Sequence, residues 1–157
     1  MGKLDGDNGA GLKDRLAMRT QEVEAVIEQY LPEETGYQKT VFEAMNYSVR
    51  AGGKRLRPML MQETYRLFGG KGREIEPFMA AVEMIHTSSL IHDDLPCMDD
   101  DELRRGRPTN HTVYGEATAV LTGDGLLTAA FEVALTGSTI DPRRAIKALA
   151  NLASAAG

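Results

Sequence analysis

The chain has 157 residues, 42% of them hydrophobic and 26% charged, a composition typical of one globular domain with an apolar core. Its net charge of −5, with no extended basic stripe, argues against nucleic acid as the main partner. We find no apolar run that approaches the length of a membrane span and no signal-peptide core. The single cysteine, Cys97, excludes an internal disulfide and favours a reducing compartment, so we predict a cytoplasmic protein.

Helical periodicity dominates the chain after a polar, glycine-rich start. We predict that residues 1–10 are disordered. Apolar side chains then recur at helical spacing, and prolines and glycine pairs separate the segments. Since no segment shows the alternation of a β-strand, the predicted fold class is all-α. The predicted helices span about residues 12–31, 36–50, 58–68, 75–95, 113–135 and 142–155.

The densest charge follows the apolar part of the fourth predicted helix, in the sequence HTSSLIHDDLPCMDDDELRRGRPTNH at 86–111. Carboxylates at this density disfavour each other's ionisation, and those at a helix C-terminus also meet the negative end of the helix dipole. A hard divalent cation relieves both effects, and neighbouring arginines match the geometry of phosphate oxygens. The segment therefore indicates a magnesium–diphosphate site. The candidate metal ligands are Asp93, Asp94 and Asp99, and the candidate phosphate ligands are Arg104 and Arg105.

A simpler interpretation is a solvated loop in which aspartates and arginines pair with each other, which is what most charge runs are. Solvation alone gives no reason for Asp93 and Asp94 to follow directly after the apolar run Ser-Ser-Leu-Ile. We therefore favour the metal–diphosphate interpretation of this segment.

A second basic cluster, GGKRLRP at 52–58, precedes the third predicted helix. Paired glycines expose backbone amides, Lys54 supplies a point charge, and Arg57 a bidentate fork near a helix N-terminus. Taken alone, this cluster is better explained as a solvated turn with a glycine cap. His86 lies two helical turns before Asp93 and shares its face, as either a core histidine or a site residue.

Together the two motifs, GGKRLRP and HDDLPCMDDDELRRGRPTNH, closely resemble the trans-polyprenyl diphosphate synthases, which are the farnesyl and geranylgeranyl diphosphate synthases of the bacterial and plant type. The resemblance covers about residues 41–135. It implies a bundle of long helices of the isoprenoid synthase type, a homodimer and Mg²⁺ as the cofactor. It also implies head-to-tail condensation of isopentenyl diphosphate with an allylic diphosphate.

The resemblance also implies a role for each matching residue. It makes Asp93 and Asp99 the magnesium ligands, with Asp94 beside them, and Arg104 the residue that holds the allylic diphosphate. The implied catalytic set is therefore Asp93, Asp94, Asp99 and Arg104. The implied pocket for the isopentenyl diphosphate group consists of Lys54, Arg57, His86 and Arg105.

Product length is predicted from Ser88 and Ser89. In farnesyl-producing relatives of the bacterial type, an aromatic residue commonly stands five positions before the first aspartate and blocks the growing tail. Here that position is Ser88, with Ser89 beside it, so the resemblance favours geranylgeranyl over farnesyl diphosphate. Alternatively, both serines bond to the preceding helical turn, and a deeper residue such as Ile85 or Val82 sets the limit.

The chain stops before the second aspartate-rich motif of the family. We therefore expect residues 11–157 to be the N-terminal helical half of a prenyltransferase domain, truncated and inactive alone. The alternative is a non-catalytic small subunit that binds a full-length synthase. A histidine–aspartate phosphohydrolase would need a further upstream histidine, and a terpene cyclase has no use for the GGKRLRP cluster, so both are weaker interpretations.

Overall fold

The structure, a computed structural model, describes residues 8–137 and 139–157. Within these residues the chain forms helices joined by short loops, with one two-stranded antiparallel hairpin between the fourth and fifth helices. The elements are α1 Asn8–Glu28, α2 Lys39–Val49, α3 Leu56–Leu67, α4 Glu76–Asp93, β1 Leu103–Arg104, β2 Arg107–Pro108, α5 Asn110–Tyr114, α6 Glu116–Thr136 and α7 Pro142–Ala156.

Helices α4 and α6 pack against each other at the centre of the fold, and α1, α2 and α3 surround them. Small residues on both helices let the two backbones approach closely. The Ser88 hydroxyl donates a hydrogen bond to the Gly123 carbonyl at 2.8 Å, and the His92 ring lies against the same glycine. The buried core is completed by methionines and aliphatic side chains, among them Met45, Met79, Met84, Ile91 and Leu126.

The all-α prediction is confirmed, with two local differences. The fifth predicted helix is divided at Gly115, whose φ of +84° separates α5 from α6. The predicted loop also contains the β1–β2 hairpin, whose turn residues Arg105 and Gly106 both have positive φ. Two consecutive positive φ angles are typical of the tight turn that joins short antiparallel strands. Single-residue periodicity could not detect strands of two residues each.

The predicted packed side of α4 is partly wrong. Phe78 and Met79 are buried as expected, but Val82 and Ile85 are half-buried and Ser89 is exposed. The buried face is instead the one that carries Ala80, Met84 and Ser88 against α6. Small and polar residues dominate that face, so apolar periodicity alone assigned the wrong side of the helix.

The N-terminal segment is helical over part of the range that we predicted to be disordered. Helix α1 begins at Asn8, inside the segment predicted to be disordered, and residues 1–7 lie outside the described residues.

By length and composition, α6 is the one helix in the described part of the chain that could cross a membrane. Core helices of soluble proteins meet the same criteria, so this evidence for a span is weak. Because Asp124 and Glu132 interrupt the apolar residues of α6, the prediction of no membrane span is not contradicted and stays a prediction.

Candidate functional site

Four predicted binding residues from three separate segments line one cavity of about 370 Å³, which we call the basic pocket. Lys54 and Arg57 come from the α2–α3 loop and the start of α3, His86 from α4, and Arg105 from the hairpin turn. Within residues 8–137 and 139–157, no carboxylate forms an ion pair with Lys54, Arg57 or Arg105. Unpaired cations around an open cavity favour an anionic ligand.

The glycine pair at the start of this loop has a steric role that sequence analysis missed. Gly53 has a φ of +133°, and a Cβ atom added there would lie 2.7 Å from Cζ of Arg105. Gly52 also has a positive φ, of +84°, but a Cβ atom at that position would meet nothing within 4 Å. Gly53 is therefore the glycine that allows the Arg105 guanidinium to lie flat against the loop.

Arg55, between the two binding residues of the loop, also lines the cavity, but its side chain is almost fully buried. Its Nη1 donates to Oε1 of Glu83 at 2.7 Å, and its Nη2 donates to the Val49 carbonyl at 2.6 Å. A longer bond of 3.3 Å joins its Nε to Glu24. Glu83 is itself 2% exposed, so this is a buried ion pair beneath the pocket. The sequence does contain a signal for this pair: Glu83 is a carboxylate in the apolar middle of α4, where a charged group needs a partner.

Burial lowers the pKa of two residues of the pocket wall, His86 and Arg105. Burial lowers the pKa of His86, and the nearby Arg57 charge lowers it further, while Glu83 acts in the opposite direction. The neutral imidazole is therefore favoured until an anion enters. Burial also lowers the pKa of Arg105, with the Arg55 charge as the next cause, although a guanidinium stays protonated in proteins.

The hairpin holds Arg104 in a bidentate ion pair with Asp94, at the C-terminal end of α4. Nε of Arg104 lies 2.7 Å from Oδ1 and 2.9 Å from Oδ2 of Asp94, and its Nη2 lies 2.5 Å from Oδ1. The hydrogen bond to Asp94 raises the pKa of Arg104. Because the Asp94 carboxylate is buried and occupied by this arginine, the arrangement favours a role in orienting Arg104 over a role as a metal ligand.

Asp93 and Asp99 form no ion pair among the described residues, and their side chains are half-buried and exposed, respectively. The Asp99 amide donates to the Asp93 carbonyl at 2.8 Å, which folds the aspartate-rich loop back onto the end of α4. In the described part of the chain, no three acidic, histidine or cysteine side chains are placed to hold a metal. Mg²⁺ commonly uses one or two carboxylates, with water and substrate phosphates completing its octahedron. Mg²⁺ binding by Asp93 and Asp99 therefore stays a prediction, in which water and substrate phosphates would supply the other ligands.

Tyr47 anchors the hairpin that carries both site arginines. Its hydroxyl donates to the Pro108 carbonyl at 2.8 Å, and the Arg107 guanidinium lies 5.0 Å from its ring centre. Tyr114 packs edge-on against the same ring at 5.6 Å between centroids. Sequence analysis gave no role to these aromatic residues, and their spacing of 67 positions (114 − 47) offers no local signal.

The two serines predicted to set product length occupy different environments. Ser89 donates to the His86 carbonyl at 2.9 Å and lines a second cavity of about 520 Å³, beside Val82 and Ile85. Arg57 and His86 border both this cavity and the basic pocket. Ser88 faces away from it and bonds to α6, so the alternative of serines bonded to the preceding turn describes Ser89 alone.

Comparison with known proteins agrees with this geometry. The sequence model of a family described as polyprenyl synthetase matches residues 38–155. The chain belongs to the polyprenyl synthetase family. It is 53% identical over 117 residues to the Arabidopsis thaliana chloroplastic geranylgeranyl pyrophosphate synthase 7, covering 74% of this chain and 34% of that protein. It is also 46% identical over 144 residues to the farnesyl diphosphate synthase of Bacillus subtilis (strain 168), covering 90% and 48%.

Solved structures show the same fold. The apo crystal structure of a FPP/GFPP synthase from Zymomonas mobilis superposes with a TM-score of 0.85 and 39% sequence identity, covering 94% of this chain and 54% of that one. The chain thus spans half or less of the length of the curated relatives that it matches. The family resemblance and the isoprenoid synthase fold are confirmed.

Proposed function

We propose that this chain supplies the diphosphate-binding part of a magnesium-dependent prenyltransferase, which condenses isopentenyl diphosphate with an allylic diphosphate. The observation that carries the proposal is the basic pocket, where Lys54, Arg57 and Arg105 surround a cavity without carboxylate partners among the described residues. Membership of the polyprenyl synthetase family supports it. We propose residues 11–157 as the N-terminal helical half of the enzyme domain, and a cytoplasmic location for it.

Different residues bind the two substrates. In our proposal, Lys54, Arg57 and Arg105 bind the isopentenyl diphosphate group, and His86 adds a hydrogen bond or a proton. Arg104, oriented by Asp94, holds the allylic diphosphate. Charge-assisted hydrogen bonds of this kind are short and directional, so they fix the two reactants relative to each other.

Asp93 and Asp99 would hold Mg²⁺, which supplies charge neutralisation to a departing diphosphate when it is bound. The arginines stabilise the same developing negative charge without any proton transfer. No protein nucleophile is required, since the alkene of isopentenyl diphosphate is itself the nucleophile. The chain's task is therefore to bind, orient and exclude water.

We also propose that the product is geranylgeranyl rather than farnesyl diphosphate. Neither Ser88 nor Ser89 has the bulk to block a growing tail, and Ser89 lines the apolar cavity next to the basic pocket. In a full-length enzyme, Ser89→Tyr should shorten the product, because the larger ring fills the cavity that Ser89 lines. Ser88→Tyr is the matched comparison: its ring would enter the α4–α6 contact beside Gly123, so the two products are compared at equal amounts of folded enzyme. Unchanged product length in Ser89→Tyr would contradict the proposal.

A homodimer is the assembly that we propose. Helix α6 carries several exposed apolar side chains, and α7 adds another, which is a surface that soluble proteins usually cover. These residues are Val120, Leu121, Leu127, Leu135 and Ile146. The same surface supports the second candidate function, in which the chain binds a full-length synthase as a non-catalytic subunit.

One assay separates the two functions. The purified chain is incubated with Mg²⁺, isopentenyl diphosphate and an allylic diphosphate, alone and after mixing with a full-length family member, and products are identified by mass spectrometry. We expect no condensation by the chain alone and unchanged rate or product length in the mixture. A changed product in the mixture would favour the subunit function, and condensation by the isolated chain would contradict the expectation that these residues are incomplete as a catalyst.

A further inference from the structure

Arg55 differs from the other cations of the α2–α3 loop because its guanidinium already has partners on three sides. It bonds to Glu83 of α4, to the carbonyl of Val49 at the end of α2, and to Glu24 of α1. Its side chain is 3% exposed. A guanidinium that is buried and satisfied in this way does not bind a ligand, although it lines the basic pocket beside Lys54 and Arg57.

The backbone of Arg55 adopts a conformation that residues other than glycine rarely accept. Its φ and ψ of 49° and 33° lie in the left-handed helical region, directly before the first residue of α3. Such a conformation persists only when surrounding contacts enforce it. Here the enforcing contacts are the side chain's own bonds to α1, α2 and α4. Lys54 precedes this left-handed residue and Arg57 follows it, and both line the same cavity.

The positive charge of Arg55 is balanced by the carboxylate of Glu83, in addition to the hydrogen bonds that satisfy its guanidinium. Among the described residues, Glu83 is the one carboxylate that lines the basic pocket, and its Oε1 is 2.7 Å from Nη1 of Arg55. An unpaired carboxylate at this position would repel an anionic ligand. The pair thus removes a negative charge from the pocket while it fixes the loop.

We propose that Arg55, through its pair with Glu83, is a positioning residue of the basic pocket: it holds Lys54 and Arg57 in the geometry that binds a diphosphate, without touching the diphosphate. This inference rests on the proposed function, since it assumes that the pocket binds diphosphate. It assigns to the loop motif one residue that orients and two that bind.

The test uses the double variant Arg55→Met with Glu83→Met. Removing both members of a buried pair avoids an isolated buried charge, and similar side-chain volume preserves the packing. The net charge of the protein is unchanged, so general attraction of anions stays constant. Affinity for inorganic pyrophosphate is measured by titration calorimetry without Mg²⁺, and the melting temperature is measured on the same samples. We expect a melting temperature near that of the unaltered chain and affinity weaker by about tenfold or more.

A matched control is the exposed pair of Arg50 with Glu28, which also joins the end of α2 to α1. Arg50→Met with Glu28→Met should leave pyrophosphate affinity within about twofold, because that pair does not line the pocket. If the buried double variant does not unfold cooperatively, Arg55→Lys replaces it. Lysine keeps the charge beside Glu83 but cannot span three partners, so we again expect weaker binding in a folded protein.

The possible outcomes separate the proposed diphosphate site from the positioning role of Arg55. Pyrophosphate binding by the unaltered chain, lost in the pocket-lining variant Arg57→Ala, supports the proposed site. If the unaltered chain does not bind pyrophosphate, both the proposed function and this inference fail. If it binds, but the double variant or Arg55→Lys binds equally well at a similar melting temperature, the positioning role of Arg55 alone is overturned.

Discussion

The basic pocket and the aspartate-rich loop carry opposite charges, and the structure prepares them to different degrees. In the basic pocket, cations from three segments converge on one cavity, and Arg55 pairs with Glu83, the carboxylate that lines it. In the aspartate-rich loop, Asp94 forms an ion pair with Arg104. Among the described residues, the other carboxylates are not placed close enough together to hold a metal ion. On the proposed function, the chain therefore combines a preformed pocket for an anion with carboxylates that await a cation.

This difference indicates an order of binding. Cations that folding has already placed around one cavity need less rearrangement to receive a diphosphate than groups that must be brought together. Carboxylates such as Asp93 and Asp99 repel each other until a cation joins them. We infer that Mg²⁺ enters this half of the site together with an allylic diphosphate, whereas the basic pocket binds its diphosphate without metal.

The largest expected effect comes from emptying the basic pocket of its loop cations. Each charge-assisted hydrogen bond is worth roughly 1.5–3 kcal/mol, so Lys54→Ala with Arg57→Ala should weaken pyrophosphate binding by about 100-fold or more. Calorimetric titration at fixed ionic strength checks this. Lys39→Ala with Arg73→Ala removes the same charge from residues that do not line the pocket and should change affinity little. An equal loss in that control would show that net charge, and not the pocket, governs binding.

The second prediction separates Asp94 from the other aspartates. Asp94→Asn breaks a buried bidentate pair, and we expect it to lower the free energy of unfolding by about 2 kcal/mol, less than for a fully buried pair because Arg104 is partly exposed. Asp93→Ala and Asp99→Asn, whose side chains are half-buried and exposed, should leave the melting temperature unchanged or slightly raised without Mg²⁺. Thermal unfolding in a chelator checks both. Equal destabilisation by all three would contradict the division of roles.

The sequence allowed the fold class, the helices and the convergence of the basic residues to be predicted, because apolar periodicity and two long motifs carry that information. It did not reveal that Arg55 is buried or that Asp94 is paired, since motif letters do not show which side chains face inward. Tyr47 was missed for a related reason: its partner strand lies 61 positions away and is only two residues long. The buried side of α4 was misassigned because small residues, rather than large apolar ones, make the closest helix contact.

The third prediction concerns the two glycines of the α2–α3 loop. Gly53→Ala should weaken pyrophosphate binding by about tenfold, because the new methyl group displaces the Arg105 guanidinium from the loop. Gly52→Ala is the matched control, since it also has a positive φ but no neighbour within 4 Å. Both should lose stability through backbone strain. If both lose affinity equally, strain in the loop rather than the contact with Arg105 is responsible.

The smallest effect is expected from pH. Burial and the Arg57 charge lower the pKa of His86, and a bound diphosphate should raise it again, so binding takes up a proton. As pH falls below about 7, the affinity of the unaltered chain for pyrophosphate should therefore rise a few-fold more than that of His86→Gln. Protonation of pyrophosphate itself affects both proteins equally, so it does not contribute to the difference. For stability the sign is opposite: a lowered folded-state pKa contributes stability above about pH 6.5 that is lost on acidification. Parallel pH curves for the two proteins would count against a role for His86.

The most direct test of the central difference is a pair of calorimetric titrations of this chain with inorganic pyrophosphate, one in excess chelator and one with Mg²⁺. We predict saturable binding to one site in chelator, lost in Arg57→Ala and retained in Asp93→Ala. Binding that requires Mg²⁺ and disappears in Asp93→Ala would show that the aspartate-rich loop, and not the basic pocket, is the organised half of the site.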